Sequence, residues 1–555
     1  MKQKLAWRAI LCVLTALILG CGDAADSGSG ETLIDRDVLL NDVLELSADA
    51  MEGRKAGTPG EERSASHIER RFREEGLAAV DGSYFQTVKL VGSSKIPETS
   101  SLRIANRARE LAYTSDETLT YWSTSQKENV EISDAPLLFV GYGVEAPEYS
   151  WDDFKGADLE GMVLLFLNSD PPVEEDGQQL FGGDARTYYG RWTYKFEQAM
   201  KHGAAGALMI HTTPSASYPF SVVQHSGAEE SFALDLDGSG YQVDLLGWVD
   251  EATSQTIAKS MGTSLEGLFE MAAGRDFEPV DTGYRVDASI ATQIRRIETR
   301  NVLAMLEGSD PDLKNEVVVF SAHYDHLGVN EDLEGDDKIF NGAWDNAAGT
   351  AALMTLARAL GSLDPAPRRS FLFLAAAAEE SGSLGSRWFV NSPPFAKNRL
   401  VANLNIDMPQ IFGVTRDLAA IGVETNSLGD TLKAVATDFL VDGVAVTVTG
   451  DPNPNAGSFY RSDQVNFAKA GIPALFVNPG VDHFPPLGFD RTSFKDSVYH
   501  QVSDQVSDAW DLSGLERDLR IVFRTAVAVA NADEMPRWQS GNEFEEEWKK
   551  LHGVE

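Results

Sequence analysis

Three short apolar runs in the second half of this chain each stop at residues able to carry charge or hold a cation. Residues 317–320 lead into Ser321-Ala322-His323-Tyr324-Asp325-His326, residues 371–378 end on Glu379-Glu380, and residues 400–406 end on Asp407. Runs of this length, rich in Val, Leu, Ile and Phe, read as buried strands. A further run, 473–477, has the same texture, and helical stretches at 346–360 and 515–532 fall between and after them. Strands alternating with helices predict an α/β fold, a mixed and mostly parallel sheet flanked by helices. Such a sheet binds ligands at the carboxyl ends of its strands, which is where these residues stand.

Taken singly, each piece has a plain structural reading. A strand-end His is usually a hydrogen-bonding residue, Asp345 could cap the helix that follows it, and an adjacent Glu pair is common on surfaces. Their contexts narrow the choice. In His323-x-Asp325 the carboxylate can fix the imidazole tautomer and leave the other ring nitrogen for a metal. Small residues crowd Asp345 in Asn341-Gly342-Ala343-Trp344-Asp345-Asn346-Ala347-Ala348-Gly349. Side chains of neighbouring strand residues diverge, so one glutamate can bind metal while the other faces water and substrate. With His500, in a polar loop before the last long helical stretch, the pieces supply two His, two Asp and one Glu as ligands, with one Glu left over. That donor set suits zinc, and a shared carboxylate can bridge two ions.

The stretches His323-Tyr324-Asp325-His326-Leu327-Gly328, Gly342-Ala343-Trp344-Asp345-Asn346, Ala378-Glu379-Glu380-Ser381-Gly382, Asn405-Ile406-Asp407-Met408 and Tyr499-His500 resemble, in order and spacing, the M28 family of zinc peptidases. The opening segment Met51-Glu52-Gly53-Arg54-Lys55-Ala56-Gly57-Thr58-Pro59-Gly60 resembles that family too. The resemblance implies two zinc ions per chain, one on His323, Asp345 and Asp407 and the other on Asp345, Glu380 and His500. It implies Glu379 as the catalytic general base, Asp325 as the buttress of His323, and a cis Asp345–Asn346 peptide. The implied activity is peptide-bond hydrolysis, with removal of N-terminal residues as the first expectation. The alternatives are a carboxypeptidase or dipeptidase, for which Arg461 or Arg387 could supply a cation, and a non-catalytic binding protein, which should have lost ligands or base. The family's usual His in Phe459-Tyr460-Arg461-Ser462-Asp463-Gln464 is replaced by Gln464.

A middle region carrying Gly141-Tyr142-Gly143-Val144, Tyr149-Ser150-Trp151-Asp152-Asp153-Phe154 and Gly203-Ala204-Ala205-Gly206 resembles a β-rich protease-associated domain inserted into the peptidase, with His202 and His211 as structural residues. The expected organisation is a signal peptide over 1–20, a flexible tether over 21–33, a peptidase domain over 34–114 and 286–540, the insert over 115–285, and a tail over 541–555.

Lys2, Lys4 and Arg8 precede an apolar run at 9–19, too short to span a bilayer comfortably, which ends in Ile18-Leu19-Gly20-Cys21. This resembles a bacterial lipoprotein processing site. It predicts export to the cell envelope and membrane attachment only through a lipid on Cys21, with plain secretion as the alternative. Cys12, the other cysteine, would be removed, leaving no disulfide and no thiolate metal site. The net charge of −38 excludes nucleic acid as a partner class, since no basic patch offsets it. The expected partner is a peptide or protein substrate. Oligomeric state is not legible.

Overall fold

The computed structural model describes residues 28–554 except 109, 114–117, 176, 184, 217, 229 and 236–242. The signal segment and Cys21 lie outside the described residues. No described helix is long and apolar enough to cross a membrane.

The C-terminal half is a mixed sheet with a parallel centre. Strand Val317–His323 pairs in parallel with Ser370–Ala376 on one side and Leu400–Ile406 on the other, and Leu400–Ile406 pairs in parallel with Ala474–Asn478. Antiparallel strands flank this centre: Asp417–Ile421 beyond Ala474–Asn478, and the end of Val280–Leu306 beside Ser370–Ala376. All residues of Val317–His323, Ser370–Ala376 and Leu400–Ile406 are buried, as expected of parallel strands covered on both faces. Helix Ala348–Gly361 packs on one face. Its alanines at 348, 351, 352, 357 and 359 let the backbone lie close to the sheet. Phe320 and Phe373 stack beneath it with ring centroids 5.8 Å apart. Helix Ser513–Asn531 adds a buried stripe of Leu515, Leu519, Val522, Phe523 and Ala526, at the spacing of one helical face.

The middle region builds a second sheet, with Asn129–Phe139, Val163–Leu167, Gly206–Ile210 and Leu245–Val249 in parallel order. Asp153 ties its opening motifs together, accepting from Val144 N–H at 2.9 Å and Trp151 Nε1 at 2.7 Å. His211 is buried among Tyr218, Phe220 and Trp248, and His202 packs on Phe154 with Nε2 3.4 Å from Glu145. The two sheets share one strand. Val280–Leu306 pairs with Asn129–Phe139 through residues 280–291 and with Ser370–Ala376 through residues 302–306.

Three boundaries differ from the sequence reading. Strands Ser101–Ala105 and Glu110–Tyr113 pair with each other and, through Ser101–Ala105, with residues 285–289, so they extend the middle sheet rather than the C-terminal one. Pairing between distant strands leaves no local signal, which is why the boundary fell at 115. The end of the segment read as tether is held down: Gly28–Glu31 is helical, and Arg524 Nε donates to Glu31 Oε2 at 2.7 Å. The segment read as a tail is packed over its described residues, 541–554: helix Glu545–His552 follows a buried Phe544, and Trp548 Nε1 donates to the Pro536 carbonyl.

Candidate metal centre

The parallel strands deliver the site residues to one edge. His323 is the last residue of its strand, Asp407 directly follows Leu400–Ile406, and Glu379 and Glu380 lie three and four residues beyond Ser370–Ala376. Asp345 arrives from the turn before helix Ala348–Gly361, where the Asp345–Asn346 peptide is cis, as the resemblance implied. It does not cap that helix; its carboxylate is turned to the histidines instead.

His323 Nε2 lies 3.3 Å from Asp345 Oδ1 and 3.3 Å from Asp407 Oδ1. On the other side of Asp345, His500 Nε2 lies 3.4 Å from Asp345 Oδ2 and 3.1 Å from Glu380 Oε2. All five expected ligands therefore converge, with Asp345 between two imidazoles. His326, not anticipated as a site residue, joins them: its Nδ1 is 2.6 Å from Glu380 Oε1. Donor atoms of His323, Asp345 and Asp407 lie within 4.8 Å of one another, as do those of His326, Asp345 and Glu380.

The electrostatics of this cluster suit a bound cation. Burial disfavours the His323 imidazolium, yet Asp407 and Asp345 outweigh it and hold its pKa well above the ordinary value. Burial also opposes charge on His500, but Asp345 and Glu380 push it to about 10. Two imidazoles drawn to a positive state by buried carboxylates mark a negative field that a divalent cation neutralises, and the donors are those zinc takes. The two glutamates differ. Burial, reinforced by Asp407 and Glu380, raises Glu379 well above the carboxylate range. Burial and Asp345 also press Glu380 upward, but hydrogen bonds with His326 and His500 bring it down to about 2.

The Asp325 carboxylate does not buttress His323 as expected; the His323 Nδ1 faces the Asp325 backbone carbonyl at 3.3 Å instead. Asp325 Oδ1 is 3.8 Å from His323 Nδ1, too far for a hydrogen bond. Its two oxygens instead accept from the backbone N–H of Glu379 at 3.0 Å and of Glu380 at 3.3 Å. It thus fixes the loop bearing the glutamate pair. Asp504 does the same for the bridge, accepting from Trp344 N–H at 2.9 Å and Asp345 N–H at 3.0 Å.

Arg54 is the largest contributor that sequence reasoning left without a role. Fully buried, its guanidinium donates to the carbonyls of Tyr324 at 2.7 Å, Asn341 at 2.6 Å, Gly342 at 2.8 Å and Leu46 at 2.7 Å. It clamps the loop after His323 to the loop before Asp345. The neighbouring Gly53 has φ of +61°, and a Cβ there would meet the Gly328 and Phe340 carbonyls at 2.5 Å, so only glycine lets the segment approach. Gln464, where the family pattern has His, is buried and accepts from Asn405 Nδ2 at 2.8 Å while its Nε2 donates to the Phe459 carbonyl at 2.6 Å. It braces the strand two residues before Asp407.

Residues 301–525 match peptidase family M28. Over 322 residues the chain is 30% identical to the aminopeptidase NAALADL1 of Mus musculus, covering 48% of this chain and 38% of that one. Over 220 residues it is 29% identical to a probable glutamate carboxypeptidase of Arthroderma benhamiae, covering 38% and 26%. The chain spans well under two thirds of the length of either relative. Among solved structures, an aminopeptidase from Aneurinibacillus sp. strain AM-1 aligns over 92% of this chain and 96% of that one, at 18% identity and a TM-score of 0.48.

Proposed function

We propose that this chain, which carries an M28 peptidase domain over residues 301–525, is a zinc-dependent metallopeptidase with two ions per chain that removes N-terminal residues from peptides. The observation that carries the reading is Asp345, set between His323 and His500 with Asp407 and Glu380 on its two flanks and Glu379 beside them. His323, Asp345 and Asp407 would hold one ion, and Asp345, Glu380 and His500 the other, with His326 orienting Glu380 through its Nδ1 contact. Bound zinc would acidify a water and polarise the scissile carbonyl.

The chain's own groups do the rest. Glu379 takes a proton from the attacking water and returns it to the leaving amine, a task suited to a carboxylate whose buried surroundings raise its pKa. Asp325 keeps Glu379 and Glu380 in register through their backbone N–H groups. Ser383 Oγ donates to Glu379 Oε1 at 3.1 Å and limits its rotation.

A second reading, carboxypeptidase, is favoured by one observation: Arg461 makes no ion pair among the described residues and could receive a substrate carboxylate. Peptides blocked at one end decide between them. Chelation should abolish hydrolysis and added zinc should restore it. An aminopeptidase should cleave C-terminally amidated peptides and reject N-acetylated ones; the reverse pattern would transfer the assignment to the carboxypeptidase. Hydrolysis that survives complete metal removal would end both readings.

Export as a lipoprotein belongs to the same proposal and rests on the 18–21 processing motif. In a bacterial host, Cys21→Ser should move the protein from the membrane fraction to the soluble envelope fraction. Equal solubility of both forms would leave plain secretion.

A further inference from the structure

The chain has 47 lysines and arginines against 85 acidic residues, so a concentration of cations on it requires a reason. One occurs away from the metal centre. A cavity of about 540 Å³ opens where helices Leu384–Asn391 and Gln464–Lys469 of the catalytic half meet helix Glu545–His552 and Met200 of the middle region. Arg387, Lys397, Lys469 and Lys550 line it, against a single carboxylate, Glu547. The volume is that of a small-molecule site.

The cations are held in place at a cost. Lys469 is half-buried, and desolvation together with the nearby Arg387 charge lowers its pKa. Its Nζ is fixed at 2.5 Å from Glu197 Oε1 and 2.6 Å from Tyr188 Oη, on the middle-region side. Lys550 pairs with Glu547 at 2.7 Å, but both side chains are largely exposed, so a ligand can displace that pair with little loss. Lys397 has no hydrogen bond or ion pair among the described residues. Asn466, buried in the wall, spends its amide N–H groups on the Ser383 carbonyl and Ser386 Oγ, so it offers a ligand little, and the lining charge is mostly positive.

We propose that this cavity binds a small multivalent oxyanion, with the Arg387 fork and the Lys397 and Lys550 ammonium groups as its recognition elements. Arginine pairs with oxyanions in a planar, two-bond geometry and lysine as a mobile point charge. The site is independent of the peptidase reading, because none of its cations touches the metal centre's ligands.

The probe is inorganic pyrophosphate, titrated by calorimetry into the zinc-loaded full chain. Lys397→Glu/Lys550→Glu should weaken binding by about 10-fold or more per reversed charge, reasoning from the size of a close charge pair near a surface. The neutral Lys397→Gln/Lys550→Gln should lose less, which keeps the test decisive if the reversed variant does not fold. Lys259→Glu, at an exposed position of helix Glu251–Ser260, makes the same charge change outside the cavity and should bind as the unaltered protein does. Heat from pyrophosphate drawing zinc out of the metal centre would be common to every variant. Equal binding by the unaltered protein and both double variants would therefore overturn the proposal, as would a loss of equal size in Lys259→Glu. Citrate, a carboxylate of similar charge, should follow the same order of variants.

Discussion

Asp345→Ala should empty both halves of the metal centre in one step. Zinc content by elemental analysis should approach zero, whereas Asp407→Ala should lose only the ion that shares His323. The reason is geometric: the two Asp345 oxygens face opposite ways, Oδ1 toward His323 and Oδ2 toward His500. Glu380 also spans two imidazoles, His326 and His500, but it does not reach His323; Asp345 alone joins the His323 side of the cluster to the His500 side. The fold should survive, because the backbone N–H groups of Trp344 and Asp345 remain anchored on Asp504. Turnover should fall by about 10³-fold or more, since loss of carbonyl polarisation alone is worth on the order of 10²–10³. Full zinc content in Asp345→Ala would remove the bridging assignment, and with it the two-ion mechanism.

The second large effect separates the adjacent glutamates. Glu379→Gln keeps the shape of the side chain and its contact with Ser383 but removes the base. Zinc content and melting temperature should stay close to those of the unaltered protein while turnover drops by about 10²–10⁴-fold, the usual contribution of a general acid–base group. Glu380→Gln should instead lower zinc affinity, because an amide is a poorer ligand than a carboxylate, and excess zinc should restore part of its activity. Zinc rescue of Glu379→Gln alone would mean that the two roles are exchanged.

How much of this could be read from the chain depended on how local each signal was. His323, Glu379, Glu380 and Asp407 were legible because each follows a buried apolar run, and that adjacency is a property of the sequence itself. The same adjacency gave the mixed α/β sheet. Asp345 and His500 sit in loops and were recognised through the family pattern, not through any periodicity. His326 was missed although it lies three residues from His323: the direction it takes toward Glu380 is set by an irregular turn, which no spacing rule encodes. Asp504 looks in sequence like one more acid in a polar loop, and only the fold brings it to the N–H groups of Trp344 and Asp345. Arg54 is the clearest case. Its segment was singled out, but three of the four carbonyls it holds lie 270 to 288 residues further on, and a clamp of that range leaves no mark in local pattern. Gln464 is a further case, since only the fold shows that its amide joins Asn405 to the Phe459 carbonyl.

The strand shared by the two sheets has a mechanical consequence. Val280–Leu306 runs for 27 residues without a break, so the middle region is mounted on the catalytic half as on a common axle. Turning one half against the other would shear the backbone ladders on residues 280–291 or on 302–306. Residues 292–302 between them are braced along their whole length by Phe85–Lys95. A clamshell stroke of the kind that many two-part enzymes use is therefore geared out of this design. Freedom to admit a peptide and release its pieces is left to the loops at the strand ends, where a few side chains can swing while the frame that carries them stays still.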